Sequence, residues 1–329
     1  MLKKTVFTPV EISQAIANIP EMSTPVMDTF FPAKNRRNHQ WPNLNAAEVS
    51  RLIKNVPVVS RDSQSYGQAG TKVDITQIIP MPVKLSRTIS EARLNDLRSM
   101  SIQGRVDFLS GEIASMRENV RLTAEALAAQ AITAGAIDYN MIVDGVLEAY
   151  KVDYGKTPAT FTVGKKWDAS DAGLAVILSD LSKMASIIRK AGGSGAIAFG
   201  VDSATFGVIA EKVLKLTNDN RIAAVVGDGS VKIGAYTITE IADTYTKIAA
   251  NNATSEEAKI PAKTIIASAV DANHFRYASI DDADAGFAGM PLFVKQIPLE
   301  DPSGCKIIVQ SKPFPLPNLT TTVKAVVLT

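Results

Sequence analysis

Along residues 101–134 the apolar side chains Ile102, Val106, Leu109, Ile113, Met116, Val120, Leu127 and Ala131 recur in steps of four, three or their sum. That period puts one apolar stripe along a helix of roughly nine turns, about 50 Å long at about 1.5 Å per residue. The stripe predicts packing against a sheet or helix of the same subunit. Gly104, Gly111 and the modest length speak against a free coiled coil.

A different period precedes it. Residues 53–87 read as a long, largely polar two-stranded ribbon. Val56, Val58 and Val59 mark one strand, while Val73 and Ile75 alternate with Lys72, Asp74 and Thr76 on the other. The tip at 61–70 is polar and glycine-bearing, and Pro80 and Pro82 end the second strand or place it at an edge. An isolated two-stranded ribbon is marginal in water, so this one is expected to lie across another molecule. Residues 1–50 are punctuated by Pro9, Pro20, Pro25, Pro32 and Pro42 and read as an extended arm without a long periodic element. Phe30, Phe31, Leu44 and Val49 are its docking residues, with a neighbouring subunit as the expected surface.

Beyond the long helix, Tyr150, Val152 and Tyr154, then Phe161 and Val163, alternate about Gly155-Lys-Thr-Pro-Ala and predict a second hairpin within 136–165. A helix over about 171–190 stops at Gly192-Gly193. The buried strand 196–201 leads to a helix capped near Asp202 or Ser203. Strands follow at about 231–241 and 263–270, separated by a polar loop at 249–257. The closing strand at 321–328 is of the kind that completes a sheet begun earlier. The fold class is α+β with a discontinuous domain.

Composition narrows the function. The 329 residues suggest about two domains, and 46% hydrophobic content with mean hydropathy +0.08 supplies material for a core. The 35 basic and 33 acidic side chains leave a net charge of +2, so contact with DNA is expected to be loose and non-specific. Cys305 is alone, which excludes an intrachain disulfide and suits a reducing compartment. No apolar stretch approaches the roughly 18 residues of a membrane span. The N-terminus lacks the apolar core of a signal peptide.

Candidate chemistry is sparse. Gly192-Gly-Ser-Gly195 follows a helix and precedes a strand, the reverse of a phosphate-cradling loop. His39 and His274 have no second histidine or cysteine at ligand spacing. Asp281, Asp282 and Asp284 lack the glycine turn and distal glutamate of a calcium loop. The expectation is no catalytic residue, no cofactor and no metal.

Taken together, Phe30-Phe31, Pro57-Val-Val-Ser60, Ile79-Pro-Met-Pro-Val-Lys84, Val201-Asp202 before the Phe206 helix, Tyr277-Ala-Ser-Ile-Asp-Asp-Ala-Asp-Ala285, Val309-Gln-Ser-Lys-Pro-Phe-Pro315 and Val323-Lys-Ala-Val-Val-Leu328 resemble the lambda-like major capsid protein E family. That family has the Hong Kong 97-type fold of tailed-bacteriophage heads. The resemblance implies an N-arm at 1–52, an extended E-loop at 53–87 and a peripheral P-domain at 88–167 containing the spine helix. It further implies an axial A-domain at 168–300 and a return to the P-domain sheet at 301–329. Self-assembly through homo-pentamers and homo-hexamers into an icosahedral shell around double-stranded DNA would follow, assembled in the host bacterial cytoplasm and residing in the virion. Portal, scaffold and decoration proteins are further partners on this reading, and no membrane is involved.

The inter-subunit contact candidates are Arg61, Asp62, Gln64, Tyr66 and Lys72 of the ribbon, with Phe30 and Phe31 of the arm. Lys72 and Lys84 are available for covalent crosslinking, but a non-covalent shell is the simpler expectation. Two alternatives stand beside this. An encapsulin-type nanocompartment shares the fold, although its usual N-terminal amphipathic helix does not match a proline-broken arm. A soluble α/β enzyme or ligand-binding protein built on 168–300 would leave the ribbon unexplained.

Overall fold

The computed structural model describes residues 6–45, 77–143, 146–215, 224–248, 253–300 and 303–329. The described residues contain six α-helices: α1 (Pro9–Asn18), α2 (Pro25–Phe30), α3 (Glu91–Arg98), α4 (Ile102–Ala134), α5 (Leu174–Lys190) and α6 (Ser203–Leu214). The ribbon between 53 and 76 lies outside the described residues, as do residues 249–252 of the polar loop read at 249–257; Thr254–Ala258 is instead a strand paired with Thr244–Ile248.

The long helix is where its period places it. Ser101 caps α4, its hydroxyl accepting from the Gly104 N–H at 3.1 Å, and Gly135 ends it at φ +71°. Three different cores form along its length, one of them joining Leu127 and Ala131 to Leu44, Ile78, Ile137, Phe314 and Leu316. In the N-terminal half, Val106, Leu109, Ile113, Met116 and Val120 meet Phe7, Ala15 and Ile19 of the arm and Ile89, Ile307 and Val309 of a three-stranded antiparallel sheet. That sheet is ordered Phe293–Glu300, Ser303–Ser311, Val83–Ser90. In the C-terminal half, small residues let neighbours approach: Ala124, Ala128, Ala129 and Ile132 pack on Val26, Met27, Phe30, Phe31, Ile266 and Phe275.

A seven-stranded mixed sheet forms the second layer, in the order Ala159–Thr160, Thr322–Val326, Thr264–Ala269, Ile197–Val201, Tyr236–Glu240, Ser230–Ile233, Ala224–Gly227. Its interior strand Thr264–Ala269 is buried throughout. Ile265, Ala267 and Ala269 face Leu181, Met184 and Ile188 of α5 and Ile209 of α6, whereas Ile266 faces α2 and α4. A strand covered on both faces carries apolar residues at successive positions, as Ile265, Ile266 and Ala267 do here, while buried Ser268 has its hydroxyl paired with Thr322 and Asn273. Fully burying such side chains contributes about 1.5–3 kcal/mol each.

Three expectations need correction. The arm is not simply extended: α1 and α2 each begin with proline at the first helical position, where its missing N–H costs nothing. Thr8 and Glu11 close a capping box on α1, with the Thr8 N–H donating to Glu11 Oε2 at 2.7 Å. Pro9 and Pro25 start helices rather than break them. The second hairpin also has a different partner. Val146–Asp153 pairs with Ala136–Val143, matching Tyr150 to Tyr139 and Val152 to Ile137. Ala159–Thr160 pairs instead with Val323 and Lys324 of the closing strand. Finally, the tail divides. Ser303–Ser311 joins the sheet beside α4, while Thr322–Val326 joins the seven-stranded sheet against Thr264–Ala269.

Candidate assembly surfaces

Whatever this chain offers to a partner must be left over after its own segments are satisfied. The arm is held by charged groups of α4 placed to match the helix ends they meet. Arg105 pairs with Glu11 at 3.1 Å. Arg117 donates to the carbonyls of Ile16 and Ile19, at 3.3 and 3.0 Å, at the C-terminal end of α1. Glu125, 1% exposed, accepts from the Val26 and Met27 N–H groups at 2.6 and 2.9 Å, capping α2 from a distant part of the chain. Lys259 lies 3.5 Å from Glu125 and 3.1 Å from Asp243. Burial pushes the Glu125 carboxyl up, opposed by the Lys259 charge and the two backbone donors.

Phe30 and Phe31 are therefore buried in this subunit's own core, with Phe31 edge-on to Phe275 at 5.9 Å between ring centres. Of the other contact candidates, Arg61, Asp62, Gln64, Tyr66 and Lys72 lie outside the described residues. Lys84 is exposed on strand Val83–Ser90. The sequence reading missed Arg105, Arg117, Glu125 and Lys259. The one local signal was a glutamate set in an alanine-rich turn of a helix otherwise fit for burial.

The polar candidates resolve into structural pairs. Asp281 pairs with Lys312 at 2.7 Å and Asp284 with Lys295 at 3.1 Å. Asp282 takes Lys295 at 2.6 Å and Gln310 Nε2 at 2.9 Å. His39 Nε2 lies 3.1 Å from the Asn43 carbonyl. The Cys305 thiol is buried, and burial raises its pKa. No group of three or more His, Cys, Asp or Glu side chains suited to a metal occurs among the described residues. A cleft of about 480 Å³ is lined by Thr29, Arg189, Tyr236, Thr237 and Thr239 among others, with no carboxylate or histidine in its wall. None of these arrangements pairs a nucleophile with a base. No helix among the described residues is long and apolar enough to cross a membrane.

The Asp282 pair has a measurable consequence. The hydrogen bond from Lys295 holds the Asp282 carboxyl below the usual carboxylate range, and the Asp284 N–H and Gln310 add to it. A lowered folded-state value contributes stability that is present above the unfolded value near roughly 3.9 and is lost as pH falls through the folded one. Asp282→Asn is expected to flatten the acid limb of stability below about pH 4, read by chemical unfolding across pH. A variant with the wild-type acid limb would refute this.

What remains exposed is apolar in a few places. The hairpin 136–153 is anchored at its base, where Tyr154 donates to the Pro315 carbonyl at 2.6 Å and burial raises its phenol. Tyr150 donates to the Ile79 carbonyl at 3.2 Å and is pushed up to about 12 by burial. At the far end Ile142, Val143 and Val146 are exposed. Strand Ala224–Gly227 is the outer edge of the seven-stranded sheet, with Val225 exposed on it.

The sequence pattern of the family described as phage major capsid protein E matches residues 8–327. No sequence among the curated proteins matches. Solved structures share the fold. A protein assigned as the capsid protein of a prophage of Escherichia coli CFT073 is similar at TM-score 0.62 and 16% identity, over 97% of this chain and 98% of that one. A phage-related protein of Bordetella bronchiseptica RB50 is similar at 0.52 and 10%, over 97% and 96%. The capsid of a native GTA particle gives 0.50 and 12%, over 94% and 92%.

Proposed function

Because the chain belongs to the phage major capsid protein E family, we propose that its copies form pentamers and hexamers that close an icosahedral shell around double-stranded DNA. Shell-forming head protein is the role of the family, and the family and fold are those of structural proteins, not enzymes. The match across residues 8–327 is the observation on which this rests, and it does not favour an encapsulin-type compartment. Pro9 and Pro25 begin helices, so the prolines of the arm do not separate it from that alternative. The family assignment makes the distinction instead.

On this reading residues 1–52 are the N-arm, 53–87 the E-loop, 88–167 the P-domain with α4 as spine, and 168–300 the A-domain. The physics is compatible with it. Heterologous contacts related by rotation close rings, and weak contacts repeated many times suffice for a shell. A net charge of +2 limits repulsion between densely packed copies and implies loose contact with DNA. Portal, scaffold and decoration proteins are further partners, with assembly in the host bacterial cytoplasm and residence in the virion. The shell is non-covalent.

The ribbon tip gives the test. Deleting residues 61–70 is expected to leave the subunit folded while raising the concentration at which light scattering reports large particles at least ten-fold. Unchanged scattering from the deletion variant would remove Arg61, Asp62, Gln64 and Tyr66 from the interface.

A further inference from the structure

Two large aromatic rings stand out on one small platform. Trp41 is 69% exposed and Phe287 is 60% exposed. Both of their loops are tied to Ser279. The Ser279 N–H donates to the Trp41 carbonyl at 3.4 Å, and the Ser279 hydroxyl donates to the Phe287 carbonyl at 2.7 Å. Gly289 bridges to Ser279 between them. A Cβ at Gly289 would come within 2.3 Å of both the His39 and Tyr277 carbonyl oxygens, so the two loops are pressed together with no room to slide. The platform is stiff.

Phe287 is also strained. Its φ is +54°, directly after Gly286 at +61°. A side chain in the left-handed region is unfavourable for a bulky residue and persists only where its surroundings impose it. A glycine would suit this backbone better. The ring recovers little of that cost inside its own subunit, because most of it faces outward.

Charge narrows the partner. The neighbouring carboxylates Asp281, Asp282 and Asp284 are matched by Lys312 and Lys295. Two lysines against three carboxylates leave a single negative charge, which offers nothing to a phosphate backbone and repels an identical surface only weakly. Area narrows it further. Aromatic side chains bury about 150–250 Å² each, so two mostly exposed rings supply only some 300 Å². A stable one-to-one complex needs roughly 800 Å² per partner. A contact this small is useful when it recurs at every subunit of an assembly, where linked weak contacts reinforce one another.

We infer that Trp41 and Phe287 form a preorganised aromatic contact point for a second copy of this chain. The inference rests on the shell-forming reading and adds a residue-level contact to it. Rigid aromatic anchors of this kind commonly hold most of the binding energy of an interface.

The test uses the full chain in three forms: wild type, Trp41→Ala and Phe287→Gly. Light scattering gives the concentration required for particles, and denaturant unfolding of the unassembled subunit gives its stability. Phe287→Gly is expected to raise the assembly concentration at least ten-fold while the unfolding midpoint stays level or rises, since strain is relieved. Trp41→Ala is expected to raise it similarly with an unchanged midpoint. Particles forming from both variants at the wild-type concentration would overturn the inference, leaving the rings free for a different protein. A lower unfolding midpoint in Phe287→Gly would overturn it too, by making the ring part of the fold. Failure of the wild type to assemble would instead defeat the shell reading itself.

Discussion

Replacing Glu125 with alanine is expected to destabilise the unassembled subunit by about 3–5 kcal/mol, the range for breaking a buried charge pair from one side. Three partners lose their match together. The Val26 and Met27 N–H groups, at 2.6 and 2.9 Å, would have no acceptor at the start of a helix of six residues that has no side-chain cap of its own. Lys259, 2% exposed, would keep only Asp243, whose side chain is mostly in water. The small volume of alanine would also leave a void in the turn where α4 meets α2. Denaturant unfolding should show a lower midpoint with an unchanged slope, since the surface exposed on unfolding is the same. Glu125→Gln keeps the volume and one acceptor and should lose less. A Glu125→Ala midpoint within experimental error of wild type would mean that the arm is not held to α4 in this way.

Gly135→Ala is the second large effect, expected at about 3 kcal/mol or more, combining left-handed strain with a steric clash. Gly135 sits at φ +71° and its N–H donates to the Ala131 carbonyl at 3.1 Å, ending α4. A Cβ there would lie 2.2 Å from the Lys156 carbonyl oxygen and 3.1 Å from Leu319 Cδ1. Backbone must move to admit it. The segment that would move includes Tyr154, whose N–H donates to the Gly135 carbonyl at 3.2 Å. Gly155→Ala supplies the control. Its φ is +68°, nearly the same, yet nothing lies within 4 Å of its Cβ position. It should cost only the conformational part, about 1–2 kcal/mol. Equal losses at the two positions would show that the clash is relieved by small shifts, and the tight docking of 154–157 would be refuted.

The periodic parts of the fold were legible in the sequence. The stripe from Ile102 to Ala131 located α4 to within a residue at its start, because a helix packed from Val106 onward must keep its period, although Ile102 itself is exposed. Strands at 197–201 and 264–269 could be read because burial on both faces places apolar residues at successive positions, as in Ile197–Val201 and Ile265–Ala267. Elements defined by a partner could not be read. Tyr150 and Val152 alternate as a strand should, but alternation does not say whether the facing residues are Tyr139 and Ile137 or Phe161 and Val163. Pro9 and Pro25 are ambiguous alone, since proline both stops helices and starts them. The Thr8–Glu11 capping box was the clue that distinguished these cases at α1. The role of Glu125 depends on residues about 100 positions away, and no local pattern encodes that. Assembly candidates were still harder: Phe30 and Phe31 are apolar residues in an arm, a pattern shared by an intrachain core and an interface. Trp41 and Phe287 are far apart in sequence and meet only through Ser279.

Electron microscopy of the purified 329-residue chain, taken through a concentration series, tests the central claim most directly. Closed shells whose surface resolves into five-fold and six-fold clusters of the 35.1 kDa chain are the expected result. A chain that remains a monomer at every concentration and under crowding would contradict it.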